Sequence, residues 1–125
     1  MNRKGFTLIE LIVVAVILGL LASIAIAKFA NTKERTYLAA MKSDLRNLVT
    51  AEVVYSTDSL RYTTAIGSGG LVYQITTGNT GPSIALTGDG FTAQMGNTNT
   101  PRTCVIFMGS TPIAPAVNEG EPACR

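Results

Sequence analysis

The side chains able to do chemistry in this chain are few and far apart. It has no histidine, and its eight acidic residues are dispersed from Glu10 to Glu121. General acid–base or nucleophilic catalysis needs two or three such groups within hydrogen-bond reach, and no nucleophile elbow or phosphate loop is present. The residue types therefore point away from an enzyme and from any cofactor. Cys104 and Cys124 supply half of a tetrahedral zinc site, with no CxxC and no histidine to complete it. A disulfide between them fits better, and it places this part of the chain in an oxidising compartment. Asp89, Glu119 and Glu121 do not form a calcium loop, so no metal site is expected. The carboxylate in the most unusual surroundings is Glu10, which stands inside an apolar stretch.

That stretch is the dominant element. From Leu11 to Ala27 every residue is apolar, Gly or Ser, and the first charge after Glu10 is Lys28. With Phe6 to Ile9 it reaches the roughly 20 residues that cross a bilayer core about 30 Å thick. Arg3 and Lys4 precede it, which by the positive-inside rule leaves the N-terminus cytoplasmic and sends the rest outside. A charge in such a segment costs about 2.5–3.5 kcal/mol at mid-membrane, so Glu10 calls for a partner. A secretory signal or signal anchor would also be apolar here. However, its cleavage site follows the core, whereas Gly5 precedes it, and the helical pattern continues past Ala27. The charge balance excludes bulk attraction to nucleic acid: removing Arg3 and Lys4 from ten basic residues leaves eight, against eight acids.

Read in order, Arg3-Lys4-Gly5-Phe6-Thr7-Leu8-Ile9-Glu10-Leu11-Ile12 closely resembles the class III signal of prepilins, the precursors of type IV pilins and type II secretion pseudopilins. The resemblance is strong over residues 3–29, weaker to about Leu60, and only architectural beyond. It implies that a prepilin peptidase cuts after Gly5 and methylates Phe6, and that Glu10 pairs with the N-terminal ammonium of a neighbouring subunit. It also implies an inner-membrane precursor, a pilus assembly platform with motor machinery, and a homo-oligomeric helical filament outside the cell. The family often has a proline in the membrane helix; residues 1–81 here have none. Gly19, the strongest helix breaker in the core at about 1 kcal/mol relative to Ala, resembles the glycine near which such helices unwind. It equally suits close helix–helix approach.

Leu38, Met41, Leu45, Leu48, Glu52 and Tyr55 then follow helical spacing among charged residues. One helix from Phe6 to about Leu60 would be roughly 80 Å long. Residues 63–70 hold a glycine cluster that ends it. Strand patterns follow at Leu71–Thr77, Ser83–Thr87, Phe91–Met95 and Thr103–Met108, with turns at Gly78–Pro82 and Gly88-Asp89-Gly90. The tail from Gly109 reads as irregular loop tied by the cysteines. The expected fold is α+β and pilin-like: a long N-terminal helix, its first half membrane-spanning, its second half packed on a small antiparallel sheet. The expected layout is a leader at 1–5, a filament-core helix at 6–28, an amphipathic continuation at 29–62 and a head at 63–125. The expected function is a type IV pilus subunit for adhesion, twitching motility or DNA uptake. The alternatives are a pseudopilin or a membrane-anchored binding domain that never polymerises.

Overall fold

The computed structural model describes residues 5–125; the basic pair Arg3 and Lys4, and the leader apart from Gly5, lie outside the described residues. The first element, α1, is a helix over Leu8–Ser59. It stays helical through Gly19 and ends close to the expected Leu60, with no proline to interrupt it. Leu60 itself has φ 55 and donates its N–H to the Ser56 carbonyl at 2.9 Å, which closes the last turn.

The chain divides into two compact units, one up to Glu34 and one from Arg35 onward. The first is a helical segment whose apolar side chains are exposed throughout, Phe6 by 79% and Ile26 by 72%. It is long and apolar enough to cross a membrane by length and composition.

The second unit holds the rest of α1 and an antiparallel sheet of β1 (Asn79–Leu86), β2 (Phe91–Asn97), β3 (Thr100–Met108) and β4 (Ala123–Cys124), in that spatial order. The α+β pilin-like arrangement expected from the sequence is present. Met41, Leu45 and Leu48 of α1 form one core with Phe91, Ala93 and Met95 of β2 and Cys104 and Ile106 of β3. The spacings explain this, because i, i+4, i+7 makes one helix face and alternate residues make one strand face. The apolar run of β3 is buried on both sides. Val105 and Phe107 pack with Ala116 of the tail in a second, smaller core on the opposite face.

The Gly88-Asp89-Gly90 turn joins β1 to β2, with the Thr87 N–H donating to the Gly90 carbonyl at 2.9 Å. Glycine is required at Gly90 because a Cβ would collide with the Met108 carbonyl on the neighbouring strand. Three other expectations are corrected. Leu71–Thr77 is no strand; its single bridge is Leu71 with Ile66. Its polar groups are taken by α1 instead: Tyr73 Oη donates to the Asp44 carbonyl at 2.9 Å, and Thr76 N–H to Asp44 Oδ2 at 2.7 Å. The expected turn at Gly78–Pro82 lies mostly within β1, where a register irregularity between Thr80 and Ser83 accommodates Gly81 and Pro82. Proline is tolerated there because an irregular edge strand does not require its missing N–H. The tail is not all loop, since Ala123 and Cys124 form β4.

Cys104 and Cys124 sit directly opposite each other in the β3–β4 register and are joined by a disulfide. Thr103 and Arg125 exchange backbone hydrogen bonds beside it at 3.0 and 3.2 Å. Replacing both cysteines by serine is expected to destabilise the head by about 3 kcal/mol, since the bridge closes a loop of about 20 residues. A denaturant titration comparing the two proteins in detergent measures this.

Glu52 is fully buried on α1. Its Oε2 accepts the Thr63 N–H at 3.1 Å, tying the post-helix segment to the helix, while Oε1 has no partner among the described residues. Burial raises its pKa above the ordinary carboxylate value, and the Thr63 bond only partly opposes that. A raised folded pKa contributes stability below the unfolded value of 4.5 that is lost as pH rises through the folded value. Head stability is therefore expected to decline from about pH 4.5 upward in thermal melts. Glu52→Gln should remove that part of the slope.

Candidate functional site

The site begins where the chain enters α1. Gly5, Phe6 and Thr7 are exposed and precede the helix. Thr7 is its N-cap. Glu10 N–H donates to Thr7 Oγ1 at 3.3 Å, and Glu10 Oε2 accepts both Thr7 N–H at 2.9 Å and Thr7 Oγ1–H at 2.8 Å. This is a capping box, in which a Thr and a Glu three residues on satisfy each other's orphan donors. The carboxylate is thereby held at the first turn, where the helix dipole favours negative charge. Phe6, Ile9, Val13 and Val14 surround it with apolar surface. Sequence reasoning placed Glu10 here but missed Thr7; the Thr-x-x-Glu spacing was the signal that could have found it.

Further along, Gly19 lies in unbroken helix, and a Cβ there would meet nothing within 4 Å. Nothing inside this chain requires glycine at that position. Ala15, Gly19, Ser23 and Ala27 recur every four residues and so share one face, the spacing that lets apolar helices approach closely. Ser23 Oγ donates to the Leu20 carbonyl at 2.7 Å, which satisfies its hydroxyl within the helix. Beyond the apolar stretch, Lys33 Nζ lies 4.9 Å from the centre of the Phe29 ring.

The structure brings Glu10 to Thr7 and Phe6, and Cys104 to Cys124, and leaves Gly5 and Gly19 exposed and apart from them. No group of three His, Cys, Asp or Glu able to hold a metal is found among the described residues. What this arrangement can do is present a long apolar surface with a single oriented carboxylate at its entry.

Residues 1–26 match the family model described as the prokaryotic N-terminal methylation motif. The chain is 41% identical to a type II secretion system core protein G of Dickeya chrysanthemi over 77 residues, 61% of this chain and 50% of that protein. It is 40% identical to the type IV major pilin protein PilA of Myxococcus xanthus over 61 residues, 49% of this chain and 28% of that protein. The N-terminal region of the chain is thus similar to that of a type IV pilin and of type II secretion core proteins. A fimbrial protein of Pseudomonas aeruginosa is 45% identical over 49 residues, 39% of this chain and 32% of that one. The matches to these pilin-family relatives span half of their length or less. No solved structure gives a significant match.

Proposed function

We propose that this chain is a non-enzymatic structural subunit of a type IV pilus. It is held in the inner membrane as a precursor and then assembled through its N-terminal helix into a surface filament. The observation that carries the reading is the exposed apolar helix with one carboxylate fixed by a capping box at its entry. So much apolar surface needs lipid or identical helices around it, and the family motif lies on the same residues.

In this reading a prepilin peptidase cuts between the exposed Gly5 and Phe6 and methylates Phe6. Residues 6–28 form the filament core, 29–62 continue the helix, and 63–125 coat the surface. Glu10 neutralises the N-terminal ammonium of the adjoining subunit. Each charge alone is costly in low dielectric, and together they are tolerable only in good geometry. The capping bonds from Thr7 pre-orient the carboxylate for that pairing. Gly19 gives the helix a point of close approach or unwinding in the array, and assembly platform and motor proteins drive extension.

The experiment is intact mass and N-terminal sequencing of material sheared from cells, with and without Glu10→Ala. The expected result is N-methyl-Phe6 in the sheared filaments and at least a tenfold loss of filaments in the variant. An uncut Met1 terminus found only in membranes of cells with an active prepilin peptidase would leave an anchored domain instead. A pseudopilin is the second reading, favoured by the relatives named as type II secretion core proteins. Long filaments of this chain support the pilus; their absence together with a secretion defect supports the pseudopilin.

A further inference from the structure

Where the apolar stretch ends, positive charge gathers. From Leu11 to Arg35 the charged residues are Lys28, Lys33, Glu34 and Arg35, three cations to one acid. Lys28 and Lys33 are exposed, and Glu34 is half-buried. In the orientation proposed above this is the outer end of the helix, which the positive-inside rule would leave poor in cations. Lysines placed there against the rule call for a ligand.

The helix fixes their depth. From Leu8, where α1 begins, to Ala27 is about 20 residues, which at 1.5 Å each rise about 30 Å, the thickness of a bilayer's hydrocarbon core. Lys28 and Phe29 therefore stand at the headgroup level. Lys33 lies about 6 Å beyond Phe29 along the axis, yet its Nζ is 4.9 Å from the centre of the Phe29 ring, so the side chain reaches back toward the membrane. Phe29 is itself 63% exposed. Around the helix it comes about 100° after Lys28, with Lys33 about 40° further on. Two lysines thus flank one exposed ring.

We infer that Lys28, Phe29 and Lys33 form a collar that binds the headgroups of anionic phospholipids at the outer end of the membrane helix. The chemistry selects this partner, because ammonium groups at headgroup depth pair with phosphates while their stems and the ring lie along the apolar boundary. A headgroup of net negative charge carries no cation of its own to compete with the lysines. The collar would set the depth at which the precursor waits. The inference rests on the reading that this helix sits in a membrane, and it names the lipid met there.

The chain has no tryptophan, so Phe29→Trp places a single reporter in the collar and keeps an aromatic ring beneath Lys33. The full-length chain carrying it, with Arg3→Gln and Lys4→Gln to remove the leader's side-chain cations, is reconstituted in vesicles of phosphatidylcholine and phosphatidylglycerol. One lipid or the other is brominated near its headgroup. Quenching of the reporter should show phosphatidylglycerol favoured over phosphatidylcholine about fivefold or more. Lys28→Gln with Lys33→Gln should bring the ratio to within about twofold of unity, whereas Arg46→Gln, in the second unit, should leave it unchanged. Added salt should lower it. A ratio near unity before the lysines are changed, or one that survives the glutamine pair, overturns the collar and leaves the membrane reading standing. A ratio lost as fully with Arg46→Gln shows diffuse attraction and also overturns the collar. A reporter quenched by neither lipid means that the helix is not in the bilayer, which overturns both.

Discussion

Asp44→Ala is expected to destabilise the head by about 3–5 kcal/mol, because it removes the acceptor at the centre of a buried polar network. Asp44 is 3% exposed. Its Oδ2 accepts Thr76 N–H at 2.7 Å and Asn79 Nδ2 at 2.6 Å, and its Oδ1 accepts the Thr76 hydroxyl at 2.9 Å. The network runs on from Asn79 Oδ1 to Asn97 Nδ2 at 2.8 Å, and from Asn97 Oδ1 to Asn99 N–H at 2.8 Å. It therefore links α1, the segment before β1, β1, β2 and the turn after β2. Alanine would strand the buried Asn79 amide and take the acceptor from both Thr76 donors, which lie nearer solvent. For a domain of 60–100 residues each kcal/mol is worth about 4–8 °C, so the melting midpoint should fall by about 12 °C or more. Asp44→Asn keeps the volume and turns one acceptor oxygen into a donor, so its loss should be intermediate. Circular dichroism melts of the three proteins in the same detergent decide this. If alanine costs less than about 1 kcal/mol, the network is not what anchors the segment before β1. The same carboxylate also acts on Tyr73, whose pKa is raised first by burial and then by the charge of Asp44.

Phe91→Ala is the second large effect, expected at about 3–5 kcal/mol from lost transfer energy and the cavity left behind. Phe91 is fully buried at the start of β2, directly opposite Leu86 on one side and Met108 on the other. Its ring meets Tyr62 edge-on, with centroids 5.2 Å apart. Such pairs contribute about 0.5–1.5 kcal/mol beyond area burial. Leu86 is half exposed, and Leu86→Ala should cost far less. Equal losses in urea titrations of the two variants would show that the core does not centre on Phe91. A greater loss for Leu86→Ala would move the centre of the core along the same sheet face from β2 to the edge strand β1.

Much of this architecture was legible in the residues. The unbroken apolar stretch and the absence of proline before Pro82 dictate one long helix. The helical spacing of Leu38, Met41, Leu45, Leu48, Glu52 and Tyr55 pointed to an amphipathic helix, and the apolar run over Thr103–Met108 pointed to a buried strand, which the structure buries on both faces. Asp44 was less legible. A charged residue amid Lys42 and Arg46 reads as part of a solvated face, and nothing local shows that Thr76 and Asn79 will arrive from more than thirty residues away. Leu71–Thr77 failed for the same reason. Its alternation fits a strand, but strand formation requires an open partner edge, and here the helix captures the side chains and N–H groups first. The capping role of Thr7 was visible in principle, since its mechanism spans only three residues.

Local rules acting over a few residues therefore determined the helix, its caps, the Gly88-Asp89-Gly90 turn and the resemblance to prepilins, because each depends on neighbours in the chain. Tertiary structure alone decided that Asp44 is a buried hub and that Cys124 completes the sheet edge. Those outcomes depend on which distant groups compete for the same hydrogen bonds and the same buried volume, and that competition is resolved only when the whole head packs.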